Sequence, residues 1–147
     1  MGDLRHFRCT SCGGLNRVPA ERLDSGPRCG RCKAPLDLSG EPQHLDDAGA
    51  QTLLDQSPVP VLIDFYADWC GPCRALAPTL RTLARQQAGK LVVIKVNTDR
   101  DQRLAGSLGV RGIPALYLYK GGRPVDQITG ARPLSELSRW VAPHLAA

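Results

Sequence analysis

Six cysteines fall into three Cys-x-x-Cys pairs, Cys9/Cys12, Cys29/Cys32 and Cys70/Cys73, and their uneven placement limits the folds open to this chain. Sixteen residues separate the first pair from the second, whereas the third stands alone, far down the chain. A two-residue gap folds as a tight turn with both sulfurs on one side, and two such turns facing each other close a tetrahedron around one Zn2+. Cys9, Cys12, Cys29 and Cys32 are therefore read as ligands of one zinc ion. Four protein ligands leave no open position for water or substrate, so its role is structural. Iron, or two disulfides in a secreted protein, are the alternatives. Gly13, Gly14 and Gly30 are expected to take positive φ at these turns and to pass close to sulfur. The segment LNRVPAERLDSGPR holds too few apolar residues for a core, so residues 1–40 are expected to need metal to fold. His6 and His44 lie outside the ligand pattern and are read as surface residues.

A chain of 147 residues suffices for one ordinary core and a small appendage. The boundary is placed at 40, giving a zinc ribbon with its linker over 1–40 and a second domain over 41–147. Residues 36–49, LDLSGEPQHLDDAG, read as a linker entering a helix capped by Asp46 or Asp47. No apolar run reaches the roughly 18 residues of a membrane span. The start, MGDLRHFRCTSC, lacks the apolar stretch of a secretory signal, so a reducing cytoplasm is expected, where cysteines serve metals or redox catalysis. Residues 1–40 carry seven basic against four acidic side chains, the rest twelve against ten. So slight an excess makes a solvated face, and neither nucleic acid nor membrane is an expected partner.

Beyond residue 46, apolar runs of strand length (PVLIDFYA, KLVVIKVN) alternate with amphipathic segments, CRALAPTLRTLARQQ among them. Such alternation predicts parallel βαβ units. Gly121 and Gly122, between two strand-like runs, predict an antiparallel hairpin at the sheet edge. The fold class is thus α/β, a mixed central sheet flanked by helices on both faces.

Cys70 follows a buried strand and opens a helix. Unpaired amides and the positive end of the helix dipole stabilise a thiolate there, and a lowered thiol pKa makes a nucleophile near neutral pH. Cys73, one turn on, lies on the same side and can reach Cys70 to form a disulfide. One thiol attacks and the other resolves. Asp64 interrupts the apolar VLIDFY, where desolvation should raise its pKa; alternation puts Leu62, Asp64 and Tyr66 on one face, Ile63 and Phe65 on the other. Lys95 interrupts VVIKVN in the same way, and a buried ion pair is the plain reading of the two.

The stretches VLIDFYADWCGPCRALAP, VNTD, GVRGIPALYLYKGG and ITGA resemble the thioredoxin family over about 105 residues in the expected order. With the four-cysteine leader, the whole chain is similar to the zinc-ribbon subclass called thioredoxin 2. The resemblance implies a thioredoxin fold with an N-terminal zinc ribbon, and a protein-disulfide reductase that exchanges its Cys70/Cys73 dithiol for a substrate disulfide. It implies that Asp64 acts as the base that deprotonates Cys73 through water, tuned by Lys95, and that Pro78 kinks the helix. It implies a cis Ile113–Pro114 bond, and an apolar substrate groove formed by Trp69, Gly71, Pro72, Gly112, Ile113, Pro114 and Gly130. Implied partners are disulfide-containing proteins and an NADPH-dependent thioredoxin reductase acting on a monomer. Two positions depart from the family pattern: Tyr66 stands where a second tryptophan is usual, and Arg74 where lysine is common. A different function would make the ribbon a redox sensor or a module that recognises protein or nucleic acid; the intact Cys70, Cys73, Asp64 and Pro114 argue against a passive scaffold.

Overall fold

The structure is a computed structural model, and it describes residues 3–145. Strands β1 (Leu4–Arg8) and β2 (Leu15–Pro19) form an antiparallel pair that carries the first cysteine knuckle. The main sheet holds β3 (Gln43–His44), β4 (Val61–Tyr66), β5 (Val92–Asn97), β6 (Ala115–Lys120) and β7 (Arg123–Thr129) in the order β3-β5-β4-β6-β7. Pairings β3–β5 and β4–β5 are parallel, β4–β6 and β6–β7 antiparallel. The expected mixed sheet is present, and Gly121 and Gly122, both at positive φ, close its edge hairpin as a two-residue turn requires.

Strand alternation assigns side chains to two cores. Ile63, Phe65, Ile94 and Val96 pack with Leu53 and Leu54 of α1 (Asp47–Gln56) and Leu104 of α3 (Arg103–Ser107). On the other face Leu62, Val93, Leu116 and Leu118 meet Leu76, Leu80 and Leu83 of α2 (Gly71–Gln86) and Leu137 and Val141 of α4 (Leu134–Val141). Leu76, Leu80 and Leu83 recur at helical spacing and are buried; each such side chain contributes roughly 1.5–3 kcal/mol. Helix α2 runs unbroken through Pro78, although a proline there removes the amide that the Arg74 carbonyl would accept from.

Two local expectations need correction. Of the glycines expected at positive φ in the knuckles, only Gly13 takes it (φ 79°); the matching residue of the second knuckle is Lys33 (φ 68°), not Gly30. The knuckles are built alike: Cys9 N–H donates to Gly14 O and Gly13 N–H to Cys9 O, as Cys29 N–H donates to Ala34 O and Lys33 N–H to Cys29 O. The left-handed residue is therefore the one after the second cysteine in both. Gly14 instead allows close approach, since a Cβ there would lie 3.3 Å from Cys12 Sγ. Second, the segment read as linker contains β3, which adds to the edge of the sheet beside β5. The expected cap of α1 is present, and the two candidate residues serve different helices. Asp46 accepts from Gly49 N–H and caps α1, while the Asp47 carboxylate accepts from Arg103 N–H and Leu104 N–H at the start of α3.

The ribbon lies against the main domain. His6 N–H donates to Gly89 O (2.8 Å), Arg5 donates to Ala88 O (3.2 Å), and Arg8 and Gln43 bond each other twice, guanidinium to amide oxygen and amide to backbone carbonyl. Leu15 packs at the rim of the α1/α3 core. The approach depends on two glycines at positive φ: a Cβ on Gly89 would sit 2.5 Å from Arg5 Cβ, and one on Gly40 would sit 2.6 Å from Ala84 O. Glu41 then pairs with Arg81 and Arg85 of α2, each at 3.0 Å.

Candidate active site and metal centre

Strand β4 ends at Tyr66, and the turn that follows delivers Cys70 to the N-cap of α2. Its sulfur accepts from Cys73 N–H at 3.2 Å and lies 3.8 Å from the Ile113 carbonyl oxygen. Cys70 and Cys73 are joined as a disulfide, and both are buried. Gly71 and Pro72 are exposed on the first turn of the helix. The Ile113–Pro114 bond is cis, and Gly130 N–H donates to Pro114 O at 2.8 Å, tying the Gly130 turn (φ 95°) to the proline loop. A Cβ on Gly112 would meet Thr129 Cγ2 at 3.5 Å. Trp69 stands out at 68% exposure, its indole N–H donating to Asp99 at 3.0 Å. A cleft of about 350 Å³ between Trp69, Val110, Arg111 and Ile113 opens beside the cysteines.

Behind the disulfide, Asp64 is fully buried, and neither carboxyl oxygen has a hydrogen-bond partner among the described residues. Register places Lys95 directly beside it on β5, with Nζ 3.9 Å from Asp64 Oδ2. Burial pushes Asp64 up to about 7, with Lys95 pulling the other way. At this separation the ammonium is an attracting charge and not a hydrogen-bond donor.

Two residues without an expected part lie in the same place. His44 Nδ1 is 3.0 Å from the Tyr66 hydroxyl, and Lys95 Nζ lies 4.5 Å from the centre of the Tyr66 ring. Tyr66 was legible as sharing the strand face of Asp64. His44 was not, because a two-residue strand has no period to read. Arg74 also has a local role, donating to Asp68 O at 2.7 Å.

The other four cysteines gather at the tip of the ribbon, with all sulfurs within 4.8 Å of one another. Cys9 and Cys32 sulfurs are 3.7 Å apart, those of Cys12 and Cys29 3.6 Å, against the edge of about 3.8 Å for a regular tetrahedron with Zn–S bonds of about 2.3 Å. Amides of Ser11, Gly14 and Arg31 point at Cys9, Cys12 and Cys29 sulfurs, as thiolate ligands need. The amide of Cys32, the Asn16 side chain and the amide of Arg31 hold Cys29 down at about 5. The Gly14 amide lowers Cys12, but burial and the neighbouring sulfurs outweigh it and raise this thiol to about 11. Sulfurs so crowded cannot all carry charge without a cation between them, and the set fits a zinc site. Cys70 and Cys73 are not part of it.

A cysteine pair that opens a helix beside an open cleft can trade its disulfide for two thiols, and this fold and site define a thiol–disulfide oxidoreductase. The family profile "Thioredoxin" matches residues 41–143, and the profile "Thioredoxin 2, N-terminal" matches residues 8–34. Thioredoxin 1 of Nostoc sp. (strain PCC 7120) is 46% identical over 108 residues, covering 74% of this chain and all of that protein. Thioredoxin C-3 of Corynebacterium nephridii is 39% identical over 137 residues, covering 93% of each. Among solved structures, a mutant thioredoxin from Halobacterium salinarum superposes with a TM-score of 0.68 at 33% identity, over 76% of this chain and 96% of that one. The chain belongs to the thioredoxin family and carries the zinc-ribbon leader of its thioredoxin 2 subclass. It is a protein-disulfide reductase with an N-terminal zinc site.

Proposed function

We propose that Cys70 is the attacking thiol and Cys73 the resolving one. The placement of Cys70 at the N-cap of α2, its sulfur accepting from an amide, carries this assignment, because that position favours a thiolate. In the first step Cys70 thiolate attacks one sulfur of a substrate disulfide, forming a mixed disulfide and displacing the other sulfur as a thiolate. Cys73 then passes its proton through an intervening water to the Asp64 carboxylate, whose pKa of about 7 suits a base at neutral pH. Its thiolate attacks Cys70 Sγ, the intramolecular disulfide forms, and the substrate leaves with both sulfurs reduced. Two electrons have moved from the dithiol to the substrate.

Lys95 tunes Asp64 as the nearest positive charge. Trp69, Gly71, Pro72, Gly112, Ile113, Pro114 and Gly130 form the surface on which a substrate segment lies against Cys70. An NADPH-dependent thioredoxin reductase restores the dithiol of a monomer in the cytoplasm. Cys9, Cys12, Cys29 and Cys32 hold one zinc ion in a closed, structural site, and the catalytic domain begins near residue 41.

The assignment is tested by reduction of insulin disulfides with NADPH and thioredoxin reductase. Cys70→Ser is expected to abolish turnover, and Cys73→Ser to accumulate a mixed disulfide that a thiol reductant releases. Turnover retained by Cys70→Ser overturns it.

A further inference from the structure

A second cleft, about 350 Å³, is lined by His44, Tyr66, Asp68, Cys73, Arg74 and Lys95 among others. Lys95 has a flexible four-carbon stem, and at 3.9 Å its ammonium makes no hydrogen bond to Asp64. The group within reach that can hold it is the Tyr66 ring, whose face attracts a cation at 4.5 Å. That ring is itself only partly buried, and its hydroxyl end lies 3.0 Å from His44 Nδ1, with the Asn97 side chain beside it as a second polar partner. His44 is on β3, and the Lys95 carbonyl accepts from Leu45 N–H at 3.0 Å, so holder and held sit on adjacent strands.

We infer that His44 is a positioning residue for the reductase site: by fixing the Tyr66 ring it keeps the Lys95 ammonium against Asp64 at the Cys73 end of the dithiol. A neutral imidazole accepts the Tyr66 O–H at Nδ1 and an imidazolium donates to the same oxygen, so the contact survives a change of protonation. The charged groups facing this cluster are Lys95 and Asp68 for His44, and Asp68, Asp64 and Arg100 for Tyr66. Arg74 borders the cleft with its guanidinium turned to the Asp68 carbonyl. With the ring loosened, Lys95 gains solvent-exposed rotamers through the cleft, and Asp64 loses the charge that favours its ionised form.

The test follows the Asp64 carboxyl by 13C NMR across pH, alongside the pH dependence of insulin reduction, whose kinetic arm rests on reading Asp64 as the base. His44→Ala is expected to move the Asp64 titration and the acid limb of the rate profile upward by about 0.5 or more on the pH scale. Tyr66→Phe is expected to do the same, the double variant no more than either, and His44→Asn, whose amide reaches the Nδ1 position, to return both toward the parent. His44 is exposed and Tyr66 is only partly buried and keeps its ring as Phe, so these variants keep the fold. An Asp64 titration unmoved in both His44→Ala and Tyr66→Phe overturns the inference. A titration that moves while the rate profile stays still upholds His44 as the positioning residue and removes Asp64 from the role of base.

Discussion

Asp64 carries a carboxyl without a hydrogen-bond partner beneath the disulfide, and burial shifts it from 3.8 to about 7. The sign of the consequence follows from linkage. A group whose folded pKa is raised stabilises the folded state fully below its unfolded value, and that stability is lost as pH rises through the folded value. The native protein should therefore weaken between pH 3.8 and about 7 and level off above. Asp64→Asn, which cannot ionise, is expected to be more stable than the parent by roughly 3–4 kcal/mol at about pH 8, with the difference closing below about pH 4. Urea unfolding of the oxidised proteins over that range measures it. Equal pH dependence in the two would contradict a raised carboxyl. Asp64 and Lys95 were both visible as charges set in apolar strands, and a buried ion pair was the plain reading of the two, but the geometry of that pairing, 3.9 Å and without a hydrogen bond, was not legible. It depends on the parallel register of β4 with β5, Asp64 opposite Lys95.

At the scale of elements, the union of ribbon and domain rests on short contacts between loops and strand ends. Strand β1 reaches the α2–β5 turn at Gly89, where positive φ and the Arg5 side chain leave no room for a Cβ. Gly89→Ala should cost about 1–3 kcal/mol through left-handed strain and displacement of β1, and amide exchange at His6, bonded to Gly89 O, should speed up at least tenfold. Gly109→Ala is the control: its φ is 71° with nothing within 4 Å of a Cβ, so it should lose the strain alone and leave His6 protected. The knuckles show why such detail escaped reading along the chain. Both have the same hydrogen bonds, yet one puts glycine at the left-handed position and the other Lys33, whose ammonium donates to Gly30 O. A side-chain bond offsets part of the strain that glycine avoids.

For the whole molecule, the two sheet-centred cores are complete without the ribbon, save for Leu15 at one rim. Among the described residues, the ribbon buries only Phe7 and Val18 of its apolar side chains, with Cys9 and Cys29. Deletion of residues 1–40 is therefore expected to leave insulin reduction within about threefold of the parent while lowering the melting temperature by several degrees, a loss of about 1–2 kcal/mol. Removing the metal from the full chain with a chelator should unfold the ribbon alone, read as new proteolytic cuts before residue 40. Elemental analysis beforehand should give about one zinc per chain. A truncated chain that does not fold contradicts a boundary near 40.

The cysteine spacings were sufficient to tell a metal tetrahedron from a redox pair, and the strand–helix alternation to predict a mixed α/β sheet; the thioredoxin fold itself was implied by the resemblance of stretches such as VLIDFYADWCGPCRALAP and GVRGIPALYLYKGG. Both properties are local: two residues between sulfurs set a turn, and the period of apolar side chains sets an element. Tertiary structure decided what each reactive group faces. It set Lys95 beside Asp64, made the short segment around His44 a strand of the main sheet, joined His44 to Tyr66, and seated β1 on Gly89. These contacts link residues 22 to 83 positions apart. They depend on which strands are neighbours and in what register, and no stretch of the chain by itself carries that information.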